Sequence, residues 1–170
     1  MRSTWIVTLL CSALLLAPTA APAAPAQILA AQGHWAALKF GPRCEAAARP
    51  LPPASSRQPA ARAGFGFGVG SAGRGARRGE FHVHLSRVPR AGSSVMLTIG
   101  SRPFMLLSRG EWAWSRGPLQ EAAILAAARG ATSMRVESRD GAGRRFADRY
   151  LLAGAPTAID AAAAGCAGKS

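Results

Sequence analysis

Glu80-Phe81-His82-Val83-His84-Leu85, then Val95-Met96-Leu97-Thr98-Ile99, then Phe104-Met105-Leu106-Leu107: the fold turns on how these three runs are read. In the first, apolar residues alternate with polar ones, the period of two that suits a strand with one buried face. Val95, Leu97 and Ile99 repeat that step. Pro89-Arg90-Ala91-Gly92, Gly100-Ser101 and Ser108-Arg109-Gly110 separate or close the runs with turn residues. Three strands joined this way predict an antiparallel meander.

Toward the C-terminus the period changes. Pro118 to Arg129 reads as a helix, with Pro118 at its first position, Leu119, Ala123, Ala126 and Ala127 sharing a face, and Gly130 as the stop. Alternation returns from Ser133 to Ser138 through Met134 and Val136. Asp140-Gly141 marks a hairpin turn, and Arg144 to Leu152 is the returning strand with Phe146 and Tyr150 on one side. Pro156 opens a last short helix with Ile159, Ala162 and Ala163 facing inward, and Gly165 ends it just before Cys166.

Toward the N-terminus, His34 to Phe40 predicts a strand running into a Gly41-Pro42 turn, with Cys44 just beyond. Residues 49–79 are rich in Pro, Gly, Ser and Arg, a composition with little to bury, and predict a mobile loop with a short strand near Phe65–Val69. The sum is a mainly β, β-rich α+β chain: one antiparallel, β-sandwich-like domain over 27–170 with two short helices.

The first 26 residues predict a secretory signal. Arg2 supplies charge, Trp5 to Leu16 form an apolar stretch too short to span a bilayer, and Ala24-Pro25-Ala26 offers a cleavage site before Gln27. Ala21-Pro22-Ala23 is an alternative site. Cys11 lies too early, and follows Leu10 rather than a small residue, so lipidation is not expected. Cleavage leaves Cys44 and Cys166. Two cysteines in an oxidising compartment predict one disulfide. The exported chain is then periplasmic or secreted, with no transmembrane segment.

The formal net charge is +13, and every basic residue except Lys39 and Lys169 is arginine. Such charge favours anionic partners through long-range attraction. An arginine bias in an Ala- and Gly-rich chain also fits a GC-rich coding sequence, and an exported protein seldom meets nucleic acid. Arg74, Arg77 and Arg78, set among glycines, are the candidate anion-binding residues.

Chemistry-bearing patterns are sparse. On a strand, Glu80, His82 and His84 line one side, and two imidazoles with a carboxylate are acceptable ligands for zinc, copper or nickel. A ligand triplet on one strand is geometrically awkward, and a polar outer face carrying histidines is the plainer reading. No Gly-x-Ser-x-Gly elbow occurs. The cysteines are better explained by a bridge, and most carboxylates lie beside arginines, as Asp148 does beside Arg149, which suggests neutralisation at the surface rather than an apolar pocket. The glycines of Gly64 to Gly70 do not meet the spacing of a dinucleotide loop. Trp35, Trp112 and Trp114 read as core, although an exposed Trp112–Trp114 pair argues for a binding surface. No catalytic residue, cofactor or small-molecule substrate is expected.

The stretch from Phe146 through Asp148, Tyr150, Leu152, Gly154, Ala158, Ile159 and Asp160 to Cys166, together with Trp35 ahead of Arg43-Cys44, resembles the invasion-associated locus B family of bacterial envelope proteins. The resemblance covers both ends of the exported chain. It implies a small β-sandwich-like periplasmic or secreted protein and carries no catalytic residues with it. This chain lacks the family's additional mid-chain cysteine pair and has the long Pro/Gly/Arg insert.

The sequence therefore predicts a non-enzymatic envelope protein acting through an envelope protein or an anionic envelope component. The alternatives are a periplasmic metal-binding module using His82 and His84, and a small hydrolase with an unrecognised site.

Overall fold

The structure, a computed structural model, describes residues 25–52, 61–70 and 76–168. All but the last two residues of the expected signal lie outside it. Ten strands form in chain order: β1 (Gln27–Gln32), β2 (Trp35–Phe40), β3 (Arg43–Ala48), β4 (Arg62–Gly68), β5 (Arg77–His84), β6 (Val95–Ile99), β7 (Arg102–Arg109), β8 (Trp112–Trp114), β9 (Ser133–Arg139) and β10 (Arg145–Leu151). Helix α1 (Pro118–Gly130) separates β8 from β9, and α2 (Ala155–Gly165) follows β10. The strands pair antiparallel in one order, β1-β2-β3-β4-β5-β8-β7-β6-β9-β10. The fold is mainly β with two short helices, as the alternation predicts.

The meander needs correcting in one respect. β6, β7 and β8 are successive neighbours, but β5 pairs with β4 and β8 rather than with β6. The chain after β5 is no tight turn. Ser86 N–H donates to Asp148 Oδ2 at 2.9 Å, and Pro89 bridges Asp140, so this segment crosses to the β9–β10 side before β6 begins. The short strand expected near Phe65–Val69 within the stretch 49–79 is formed as β4, which begins three residues earlier at Arg62 and is an interior strand, and the end of that stretch holds the start of β5. The remainder of that loop falls partly on 53–60 and 71–75, outside the described residues.

The sheet doubles over so that its two ends meet. His34 N–H donates to Ala153 O at 3.2 Å, Trp35 Nε1–H to Leu151 O at 2.8 Å, and Leu51 N–H to Arg149 O at 2.7 Å. Two glycines permit this closure. Gly33 (φ 58°) and Gly154 (φ 90°) sit in left-handed conformations, and a Cβ on Gly33 would lie 2.3 Å from Ala153 O. Between the folded halves lies the core: Trp35, Phe65, Phe81, Leu97, Val136 and Tyr150 are among its fully buried side chains. Trp35 and Phe81 both pack against Phe65, with ring centroids 5.7 and 5.4 Å apart.

α2 lies over β1, β2 and β3, and α1 over β5, β6 and β7. α2 buries Ala155, Ala158, Ile159 and Ala162, close to the face its sequence predicts. α1 buries only part of the predicted face, Ala127 and, in part, Ala123. Ile124, Ala127 and Ala128 turn inward, while Leu119 is 92% exposed and Ala126 faces solvent. Its inner stripe is set by Ile124 with its i+3 and i+4 partners, and Leu119 in the first turn falls off that stripe. The Cys44–Cys166 disulfide is formed, with Cα atoms 5.8 Å apart, and ties β3 to the end of α2. Among the described residues, no helix is long and apolar enough to cross a membrane.

Candidate functional site

The site begins with the alternation of β4, where Phe65 and Phe67 enter the core and Gly64 and Gly66 face outward. The bare outer side is filled from the neighbouring strands. A Cβ on Gly64 would sit 2.5 Å from Glu45 Oε1 and 3.0 Å from His82 Nε2, and one on Gly66 would sit 2.8 Å from an Arg77 Nη. Glycine here provides room. Through it Glu45 of β3 reaches across β4 to His82 of β5, with 2.9 Å between Oε1 and Nε2. Burial pushes the Glu45 carboxyl up, but the hydrogen bond and charge of His82, helped by Arg62 and Arg77, bring it below its ordinary value.

Glu80, His82 and His84 share the outer face, as their spacing predicts, yet they do not converge on a common point. Glu80 pairs with Arg77 at 2.7 Å, His82 with Glu45, and His84 Nε2 lies 3.2 Å from Glu111 Oε2. His82 Nδ1 is also 3.4 Å from Glu80 O, so both ring nitrogens have neighbours. Among the described residues, no group of three or more His, Cys, Asp and Glu is arranged to hold a metal ion.

His84 instead meets the Trp112 ring edge-to-face at 4.8 Å, and Arg62 lies over the same ring at 5.3 Å. Trp112 is 37% exposed and shares the outer face with Trp114, so the reading of these two tryptophans as core is corrected. β8 is a short strand on which only Ala113 turns inward. Nearby, Ala36, Leu38, Ala47, Leu51 and Trp112 line an open groove of about 910 Å³.

Of the predicted anion-binding residues, Arg74 lies outside the described residues. Arg77 is held by Glu80, and Arg78 is exposed at the rim of a hollow that also touches Cys166. A stronger concentration of charge, not singled out in the sequence, stands on β9 and β10. Register places Arg145 directly opposite Arg139 and Arg149 directly opposite Arg135, all four exposed. Arg135 pairs with Glu137 at 2.8 Å, and Arg139 donates to Gly143 O. Among the described residues, Arg145 and Arg149 make no ion pair. Each opposed pair borders a surface hollow: Arg139 and Arg145 with Ser93 and Ser94 (about 370 Å³), Arg135 and Arg149 with Thr98 and Ser133 (about 320 Å³). The signal was present as arginines at outward positions of both strands, and only the pairing register joins them.

Both described cysteines are bridged, and Ser115, a buried hydroxyl, bonds Phe81 O and Glu121 rather than a histidine. Comparison with known proteins adds no relative: no protein-family model, curated protein or solved structure matches the chain.

Proposed function

We propose that this chain is an exported envelope protein that works by binding, without catalysis, and that its outer sheet face is the working surface. The observation that carries this reading is the pair of opposed arginine couples on β9–β10, on a fold whose far ends are tied by Cys44–Cys166. A disulfide belongs to an oxidising compartment, and the leader-like residues 1–26 supply the route there. The resemblance of the chain's ends to invasion-associated locus B proteins is compatible with such a role, and the proposal does not lean on it.

Cell fractionation tests the compartment, and capture from the cell's own periplasm and membranes tests the role. The expected result is a processed N-terminus near Gln27, recovery outside the cytoplasm, and retention of an envelope component. An intact precursor confined to the cytoplasm overturns the reading.

A further inference from the structure

We infer that the outer face of the β9–β10 hairpin, with the adjoining face of β7, docks on an anionic phospholipid surface. This rests on the exported-protein reading above and names the partner of that face.

The first observation is the charge arrangement. Like charges directly opposite one another destabilise an antiparallel pair, yet this hairpin holds two such couples, Arg139/Arg145 and Arg135/Arg149. Their spacing of four residues along each strand separates the couples by about 13 Å. Glu137 is the one acidic side chain on that face of the hairpin, and it already serves Arg135. Guanidinium forks match phosphate oxygens in a bidentate manner. Phosphate brought between two opposed arginines therefore relieves the repulsion built into the fold.

The second observation selects lipid over a soluble polyanion. β6 lies beside β9 and β7 beside β6, so the same outer face continues onto Met105 and Leu107, which are 42% and 44% exposed. Across three strand spacings this apolar edge lies about 14 Å from β10. Arginines beside exposed apolar side chains are the pattern that seats a protein in the headgroup layer, charge meeting phosphate and carbon meeting acyl chain. The outward positions between the arginines hold Glu137 and Ala147 rather than an aromatic stacking platform for single-stranded nucleic acid, and Phe146 and Tyr150 beside them are buried.

The test uses the oxidised protein and co-sedimentation with phosphatidylcholine vesicles, with and without phosphatidylglycerol. Binding is expected only to the anionic vesicles and is lost at high salt. Replacing Arg145→Glu together with Arg149→Glu sets opposite charges against Arg139 and Arg135, so the thermal midpoint holds or rises while affinity falls by 30-fold or more, on the order of tenfold or less per removed charge. Leu107→Ser weakens vesicle binding without changing binding to soluble polyphosphate. Equal binding to neutral vesicles, unchanged binding by the double variant, or polyphosphate binding without vesicle binding overturns the proposal. If vesicle binding fails while the processed protein still captures an envelope component, the lipid inference falls and the envelope reading stands.

Discussion

At the scale of single residues, the glycines of β4 show why part of the site was hidden from the sequence. Gly64 falls in the stretch expected to be loop and Gly66 in the short strand expected near Phe65–Val69, but glycine carries no hydrophobic period to mark either as part of a site. Their role appears only when β3 and β5 are placed beside them and Glu45 is found reaching His82. His82 and His84 were legible as outward neighbours, but the separate carboxylates that meet them come from distant parts of the chain. The Glu45 pair has a consequence for pH. Its folded-state carboxyl is held below the ordinary value of 4.5, so its contribution is present above that value and is lost as pH falls through the lower folded value. Asp148, expected from the sequence at the surface beside Arg149, is instead buried, and burial shifts it the other way, upward, so acid relieves it. Acid titration of unfolding should therefore show less loss of stability below pH 4.5 in Glu45→Gln than in the parent. An equal acid loss in both proteins refutes this. Tyr150 offers a simpler case. Its hydroxyl is buried with no hydrogen-bond partner among the described residues, and burial pushes its pKa well upward. Tyr150→Phe is expected to be neutral or to stabilise by about 1 kcal/mol, as read from denaturant midpoints.

At the scale of elements, legibility followed side-chain contrast. β6, β9 and β10 alternate large apolar with polar residues and stood out. β1 and β3 did not: Gln-Ile-Leu-Ala-Ala-Gln is interrupted by a bulge and has no fully buried residue, and Arg-Cys-Glu-Ala-Ala-Ala carries mostly alanine where bulk would have signalled a buried face. That alanine has a structural reason: Ala37 and Ala46 are fully buried on the strands beneath α2, which is itself lined by alanine, and small residues let a helix sit close to a sheet. The hairpin between β9 and β10 was read from Asp140-Gly141, and its chemistry is now visible. Asp140 accepts the backbone N–H groups of Ala142 and Arg144 on Oδ1, and the side chains of Arg87 and Arg144 on Oδ2. Burial works against the Asp140 charge, and the bonds from the Arg144 backbone, the Arg87 side chain and the Ala142 backbone, with the Arg144 charge, hold the carboxyl below its usual range. Asp140→Ala should lower the melting temperature and speed amide exchange at Ala142 and Arg144. Unchanged exchange there would show that the turn holds without its carboxylate.

Across the whole molecule, the disulfide was legible from the expected compartment and the cysteine count, whereas the doubled-over sheet was not, because its closing bonds join residues about a hundred or more positions apart. The bridge spans a sequence separation of 122, and closing so long a loop stabilises the fold by about 4–5 kcal/mol in the chain-entropy view. Reduction, or paired Cys44→Ser and Cys166→Ser replacement, should move the denaturant midpoint down by a corresponding amount. A midpoint unmoved on reduction would show that packing of α2 alone holds the ends together.

The position of α2 also orders events in time. Of the described elements, the strands it covers are the first of the sheet to leave a ribosome, and the helix that covers them is the last. Early strands must wait, incompletely buried, for the tail to arrive, and contacts of such long sequence separation form slowly. The early strands therefore gain their helical cover only after the rest of the sheet has been made.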